Sequence, residues 1–364
     1  MEMSRRAFTR LGATVAGTAL ALRSGAALAA VGGGGEVADP LAHVAPELRP
    51  AARQMLAMGQ LPELTEASLA KIRSGAPPVA QPLRTDVPVS RQMVPVRPGW
   101  PDVAVYVVNA RPGMHRPAIL HTHGGGFILG SAKSEVPRLQ AFAAELDCTI
   151  VSVEYQLAPE ARYATSIEQN YAGLRWLYQQ ASALGVDRTR IAVMGESAGG
   201  GHAALLAFTA RDRGEVPLLF QLLVYPMLDD RTGSTHQLPP FFGSVGWSPA
   251  ANRFGWRAFL GVEPGGAKVP AAAVPARRTD LAGLPPAFIG VGGIDLFASE
   301  DIDFGRRLLE AGVPTEIVVV PGAFHGFDAA AADTSLAKDF NAAKMKALRR
   351  AMGLPSNEPP ARPG

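Results

Sequence analysis

Disulfides cannot hold this chain together, because its 364 residues include a single cysteine, Cys148, and an unpaired thiol has no partner within the chain. Charge is also scarce. Only 18% of residues are charged against 47% hydrophobic, which excludes a disordered polypeptide and leaves ample apolar material for a core. The seven histidines are dispersed and show no metal-ligand spacing. No G-K-[ST] phosphate loop is present, and the glycines after His123 miss the G-x-G-x-x-G spacing by one residue. Neither a metal nor a cofactor is implied. The apolar run at 11–22 is about twelve residues, short of the ~20 that span a bilayer, so no membrane span is expected in the mature protein.

What remains is a modest excess of positive charge, +3, and its position matters more than its size. Residues 1–29 open on a basic stretch, continue through the apolar run and end on Ala27-Leu28-Ala29, a small-residue cleavage pattern. Ser4-Arg5-Arg6-Ala7-Phe8 resembles the twin-arginine core of a Tat-type export signal, with Arg10 near its usual basic position. The segment holds four arginines and one glutamate. Removing them from the 35 basic and 32 acidic residues leaves 31 of each. A formally neutral mature chain gives no reason to expect a nucleic-acid partner. The expected partner of the precursor is the Tat machinery, and the expected location is periplasmic or secreted. A lone cysteine is compatible with an oxidising compartment.

After the Gly32–Gly35 linker, short amphipathic helices are predicted from about 39 to 75, through Leu48, Met55, Leu56, Leu61, Leu64, Leu69 and Ile72. Strands then alternate with helices, the pattern of a mostly parallel sheet covered on both faces. Strands are expected at 103–109, 118–123, 149–154, 191–195, 220–225, 287–292 and 316–320, mostly rich in Val, Ile and Leu. Helices are expected at 136–146, 166–184, 200–211, 299–310 and 336–352. The rhythm breaks between 227 and 285, which carries only a short apolar helix near 252–260 and is the natural place for an inserted lid. The Pro-rich tail after Gly353 is expected to fray.

Two glycine-rich signals sit at strand ends. Gly195-Glu196-Ser197-Ala198-Gly199 is a G-x-S-x-G pentapeptide between a predicted strand and a predicted helix, the context of a nucleophile elbow. His123-Gly124-Gly125-Gly126 follows another strand, where Cβ-free backbone can bring N–H donors up to a developing oxyanion. A nucleophilic serine needs a base, and the base an orienting carboxylate, in the order Ser, acid, His. Of the histidines downstream, His236 lies in the irregular segment. His325, in Pro321-Gly-Ala-Phe-His-Gly-Phe, lies just past the last strand. Asp295, at the end of the preceding strand, is the matching acid, or alternatively the cap of the next helix. Asp301 and Asp303 lie farther into that helix and read as solvent-facing. His121 and His123 share one strand face and are expected to have no nearby acidic partner.

The ordered set H-G-G-G, G-E-S-A-G-G, D-L-F-x-x-E-D and P-G-x-F-H-G-F resembles the bacterial hormone-sensitive-lipase-like esterases, family IV, from about Val94 to Met352. The resemblance implies an α/β-hydrolase fold with a helical cap. It implies Ser197 as nucleophile, His325 as base and Asp295 as its orienter. Gly125, Gly126 and Ala198 would supply the oxyanion N–H groups, with His123 shaping the loop. The organisation expected is a signal at 1–29, linker and N-terminal cap helices at 30–85, and a core at 86–364 with a cap insertion at about 228–280. Phe127, Trp247, Trp256 and Phe324, with Phe241 and Phe242, are candidate pocket liners. The implied reaction is hydrolysis of short- to medium-chain esters, with a lipase, an amidase, an acyltransferase or a non-catalytic binder as alternatives. The sequence leaves the oligomeric state open, a homodimer included. Two positions depart from the family pattern, Glu196 where Asp is frequent and Gln156 where Arg is frequent, and both concern supporting polar contacts.

Overall fold

The computed structural model describes residues 39–58, 64–75 and 82–355. Residues 1–29 (the expected export signal), the Gly32–Gly35 linker, Leu61 and the end of the tail lie outside these residues. In chain order the elements are α1 (Arg49–Ala57), α2 (Glu66–Ser74), β1 (Val89–Val94), β2 (Val103–Val108), β3 (Arg116–Thr122), α3 (Ala132–Leu146), β4 (Thr149–Glu154), α4 (Tyr163–Gln179) and α5 (Ala181–Leu184). They continue with β5 (Val186–Glu196), α6 (Ala198–Arg213), β6 (Phe220–Val224), α7 (Pro249–Leu260), β7 (Ala287–Gly292), α8 (Ala298–Glu310), β8 (Thr315–Val320), α9 (Phe327–Ala330) and α10 (Ser335–Ala351). The strands form one sheet in the order β1-β2-β4-β3-β5-β6-β7-β8. Only the β1–β2 and β2–β4 pairs are antiparallel; from β4 to β8 every pairing is parallel.

Alternation along the strands divides the core into two layers. Ile119, Ile150, Ala192, Leu222 and Phe288 face α1, α3 and α10. Their neighbours Leu120, Val151, Val193, Leu223 and Ile289 face α4, α6 and α8. Strands β3, β6 and β7 are buried along their whole length, as a parallel sheet covered on both sides requires. A third apolar cluster joins Leu69 of α2, Phe127 and Ile128 after β3, Phe254, Trp256 and Phe259 of α7, and Leu296 and Phe297 after β7. It therefore gathers α2 and the segment between β6 and β7 with the loops that follow β3 and β7.

The seven expected strands are present, and β1 is an addition. Val89–Val94 is an edge strand whose central residues are exposed, so it lacks the apolar run by which a buried strand is recognised. Strand β5 begins five residues earlier than expected, because Val186 pairs with Arg116 below a register shift in β3. The single helix expected at 166–184 divides at Gln180 into α4 and α5.

Candidate active site

The tightest turn in the site joins β5 to α6. Ser197 there has φ 57° and ψ −124°, a conformation that costs a residue with a Cβ about 1–3 kcal/mol and persists only where the surroundings enforce it. They do so with three backbone bonds. Ser197 N donates to Val224 O at 2.9 Å, and Ser197 O accepts from Gly201 N at 3.1 Å and Met227 N at 2.9 Å. The flanking glycines leave no room for side chains: a Cβ on Gly195 would sit 2.2 Å from Gly199 O, and one on Gly199 2.1 Å from Thr122 O. The pattern G-x-S-x-G is thus a packing requirement that aims the serine oxygen outward.

The residues selected from the sequence come together at that oxygen. Ser197 Oγ lies 3.0 Å from His325 Nε2, and His325 Nδ1 lies 2.8 Å from Asp295 Oδ2. Asp295 is fully buried, and its second oxygen, Oδ1, accepts from Phe297 N at 3.0 Å. A carboxylate only accepts, so the Nδ1–H donates to Asp295 and Nε2 is left to accept the serine proton. Asp295 follows β7 and His325 follows β8, so the sheet edge delivers both side chains to a serine carried by β5. Two rings meet the imidazole nearly edge-on, Tyr225 at 4.7 Å and Phe297 at 5.2 Å between centroids. Sequence reasoning assigned neither a place in the site, although Tyr225 opens the Tyr225-Pro226-Met227 stretch and Phe297 lies in D-L-F-x-x-E-D, both part of the family resemblance.

The glycine loop after β3 lies against this elbow. A Cβ on Gly124 would stand 2.9 Å from Glu196 O and 3.5 Å from Ser197 Cβ. Gly125 has φ 121° and Gly126 φ 59°, and a Cβ on Gly126 would strike the Trp247 ring at 2.3 Å. Ala198 opens α6, and its N–H is one of the helix's unsatisfied first-turn donors. His123 shapes the loop: its Nδ1 bonds Gly124 O at 2.9 Å and its ring stacks on Tyr155 at 4.2 Å. Burial pushes its imidazole down to about 4, so it is neutral near pH 7. Together the serine, imidazole, carboxylate and loop can attack a carbonyl and hold the resulting oxyanion.

Two expectations are corrected here. His121 does have an acidic partner: its Nε2 meets Glu196 Oε2 at 3.0 Å while Nδ1 meets Ser152 Oγ at 2.8 Å. The two residues are 75 apart in sequence, beyond the reach of local reading. Glu196 also accepts from Arg138 Nη1 at 2.8 Å. Burial works to raise its carboxyl, but Arg138 and His121 outweigh it and hold Glu196 well below the usual carboxylate range. Asp301 is likewise not solvent-facing but fully buried, with neither carboxyl oxygen partnered. Burial, followed by the charges of Glu300 and Asp295, holds it well above its ordinary value. Asp303, on the outer face of α8, is exposed and pairs with Arg306.

Of the candidate pocket liners, Trp247 lies directly on Gly126 and its Nε1 donates to Asn252 Oδ1 at 3.3 Å. Phe127 and Trp256 are sealed in an aromatic cluster with Phe259, and Phe324 packs in the layer that includes α10. Closed off from solvent, these three support the walls and do not form an accessible surface. Phe241 and Phe242 are partly buried, with Phe241 stacked on His43 at 4.1 Å. Gln156 bonds Gln169 through backbone and side chain. Among the described residues no helix is long and apolar enough to cross a membrane.

A protein family described as having an alpha/beta hydrolase fold matches residues 119–329. The carboxylesterase NlhH of Mycobacterium tuberculosis is 36% identical over 265 residues, covering 71% of this chain and 79% of its own length. Among solved structures, a bacterial heroin esterase superposes with a TM-score of 0.74 at 32% identity, over 86% of this chain and 99% of that one. The esterase LipW from Mycobacterium marinum superposes at 0.71 with 31% identity, over 85% and 96%.

Proposed function

The chain belongs to the α/β-hydrolase family, in its hormone-sensitive-lipase-like, family IV branch, and on that premise we propose that it is a serine esterase acting on short- to medium-chain esters. The observation that carries the reading is the unbroken line of bonds from Ser197 Oγ through His325 to Asp295. Ser197 attacks the ester carbonyl as His325 takes its proton. The oxyanion that forms accepts the N–H groups of Gly125, Gly126 and Ala198. His325 then protonates the leaving alcohol, and an acyl-serine remains. Water repeats the sequence: His325 takes its proton, the hydroxyl adds to the acyl carbon, and the serine leaves with the proton returned. Asp295 holds the imidazole in the required tautomer and stabilises its transient positive charge.

The segment 30–85 and the insertion at about 228–280 are assigned as a cap, supported for α2 and the insertion by the apolar cluster they share, while α1 packs in the layer with α3 and α10. Trp247, seated against Gly126, is the residue placed to limit acyl size. The twin-arginine pattern of residues 1–29 supports export by the Tat machinery to the periplasm or beyond.

Purified protein should hydrolyse p-nitrophenyl acetate through caproate faster than longer esters, and a matched p-nitroanilide much more slowly. Ser197→Ala should lose at least about 10³-fold in kcat while keeping its melting temperature. Turnover surviving in that variant would overturn the assignment of the nucleophile. Equal rates on ester and amide would overturn the substrate class.

A further inference from the structure

Behind His325 lies a charged assembly that the proposed chemistry does not use. Tyr225 is the first residue past β6, 7% exposed, with φ 36°. Its backbone N donates to Gly290 O at 2.6 Å, and its ring presents edge-on to the imidazole. Its hydroxyl donates to Asp328 Oδ1 at 3.0 Å, and the other oxygen of Asp328 accepts from Lys344 Nζ at 2.6 Å. The side chains of Asp328 and Lys344 are each only 8% exposed. Asp328 lies in α9, three residues after His325, and Lys344 lies in α10. One carboxylate therefore links the end of β6, the turn that carries the histidine and the last helix.

Stability alone gives little reason for this arrangement, since removing two charges from water offsets most of what their attraction returns, and a well-packed apolar trio commonly does as well. What the assembly supplies is fixed geometry. The turn at 325–328 has no strand to hold it, and Gly326 at its centre has φ 73°. The Asp328 bonds anchor that turn, and Phe297 also meets the imidazole edge-on. Burial, with the charge of Asp328 adding to it, keeps the Tyr225 phenol far above its ordinary value, so it stays a donor.

We propose that Tyr225, Asp328 and Lys344 are positioning residues that hold His325 in line between Ser197 and Asp295. The inference rests on the reading of His325 as the general base. Both half-reactions use that base, so a small displacement slows turnover without changing how the substrate is held; misplacement by 1 Å can cost ~10²-fold.

The test compares wild type with Tyr225→Phe, Lys344→Met and Lys344→Arg on a short p-nitrophenyl ester. Tyr225→Phe removes one oxygen and keeps the ring. We expect kcat to fall roughly tenfold with KM within about twofold. The melting temperature should drop by no more than about 4 °C, the cost of one hydrogen bond. Lys344→Met should lose more, and Lys344→Arg should restore most of the rate. The low-field proton resonance of the His325 Nδ1–H should move in Tyr225→Phe and in Lys344→Met, and return in Lys344→Arg. An unmoved resonance with wild-type kcat in folded Tyr225→Phe and Lys344→Met would overturn the proposal. So would rate losses that merely follow melting temperature, without rescue by arginine. Absence of ester turnover by wild type would sink the esterase reading instead, and the resonance would still decide whether these residues hold the imidazole.

Discussion

Asp301 shows how one side chain can be wrongly read from its neighbours in sequence. Its position in the first turn of a helix of mixed charge suggests solvent, yet the side chain is fully buried. Both oxygens are buried without partners, and the carboxyl is held well above its ordinary value. The sign of the consequence follows directly. Unfolded, an aspartate ionises near ~3.9; folded, Asp301 keeps its proton to a much higher pH. Folding above about pH 4 therefore takes up a proton, and the cost grows with pH until the folded value is reached. Asp301→Asn removes that cost. The variant should melt at least about 3 °C above the parent at pH 8, with the gap closing toward pH 4. Thermal scans across that range are the check, and a gap that does not change with pH would contradict the assignment.

Among the elements, α2 reaches the loops around the site through one side chain. Arg73, near its end, donates from Nε to Ile128 O at 2.9 Å, from Nη2 to Ala158 O at 2.5 Å, and from Nη1 to Glu160 at 2.7 Å. It thereby fastens α2 both to Ile128, just past the glycine loop, and to the segment after β4. Arg73→Ala should raise KM several-fold, up to roughly tenfold for loss of charge-assisted bonds, and leave kcat within about twofold. Steady-state kinetics separate the two, and a loss confined to kcat would show that α2 acts on the chemistry. No local pattern announces such a clamp, because its partners lie 55 to 87 residues away. The sheet was legible for the opposite reason. Runs such as 118–123 and 287–292 are buried on both faces and declare themselves locally, whereas Val89–Val94, paired on one edge, does not. Ser197, Asp295 and His325 were legible because each stands at a strand end beside glycines or prolines that only a sharp turn explains. The rings and charges that support them were not, since packing across the sheet is invisible along the chain.

At the scale of the whole molecule, the basic character of the sequence belongs to its first 29 residues, and the remainder carries equal numbers of each charge. If that segment directs export, replacing Arg5 and Arg6 by lysine should leave the protein in the cytoplasm of a Tat-competent bacterial host. The same chain without the change should be recovered outside the inner membrane. Fractionation with activity staining decides it, and equal export of both would refute the twin-arginine reading.

The order in which the site's parts occur along the chain has a consequence for synthesis. The serine is translated first, the acid about a hundred residues later, and the histidine thirty after that. The lysine that reaches back to the histidine's turn lies in the final helix. A ribosome stalled before residue 325 leaves a serine with no base, and one stalled between 325 and 344 leaves the base without the lysine that anchors its turn. Hydrolysis is thus expected only from chains extended past His325, and at full rate only from those that include α10.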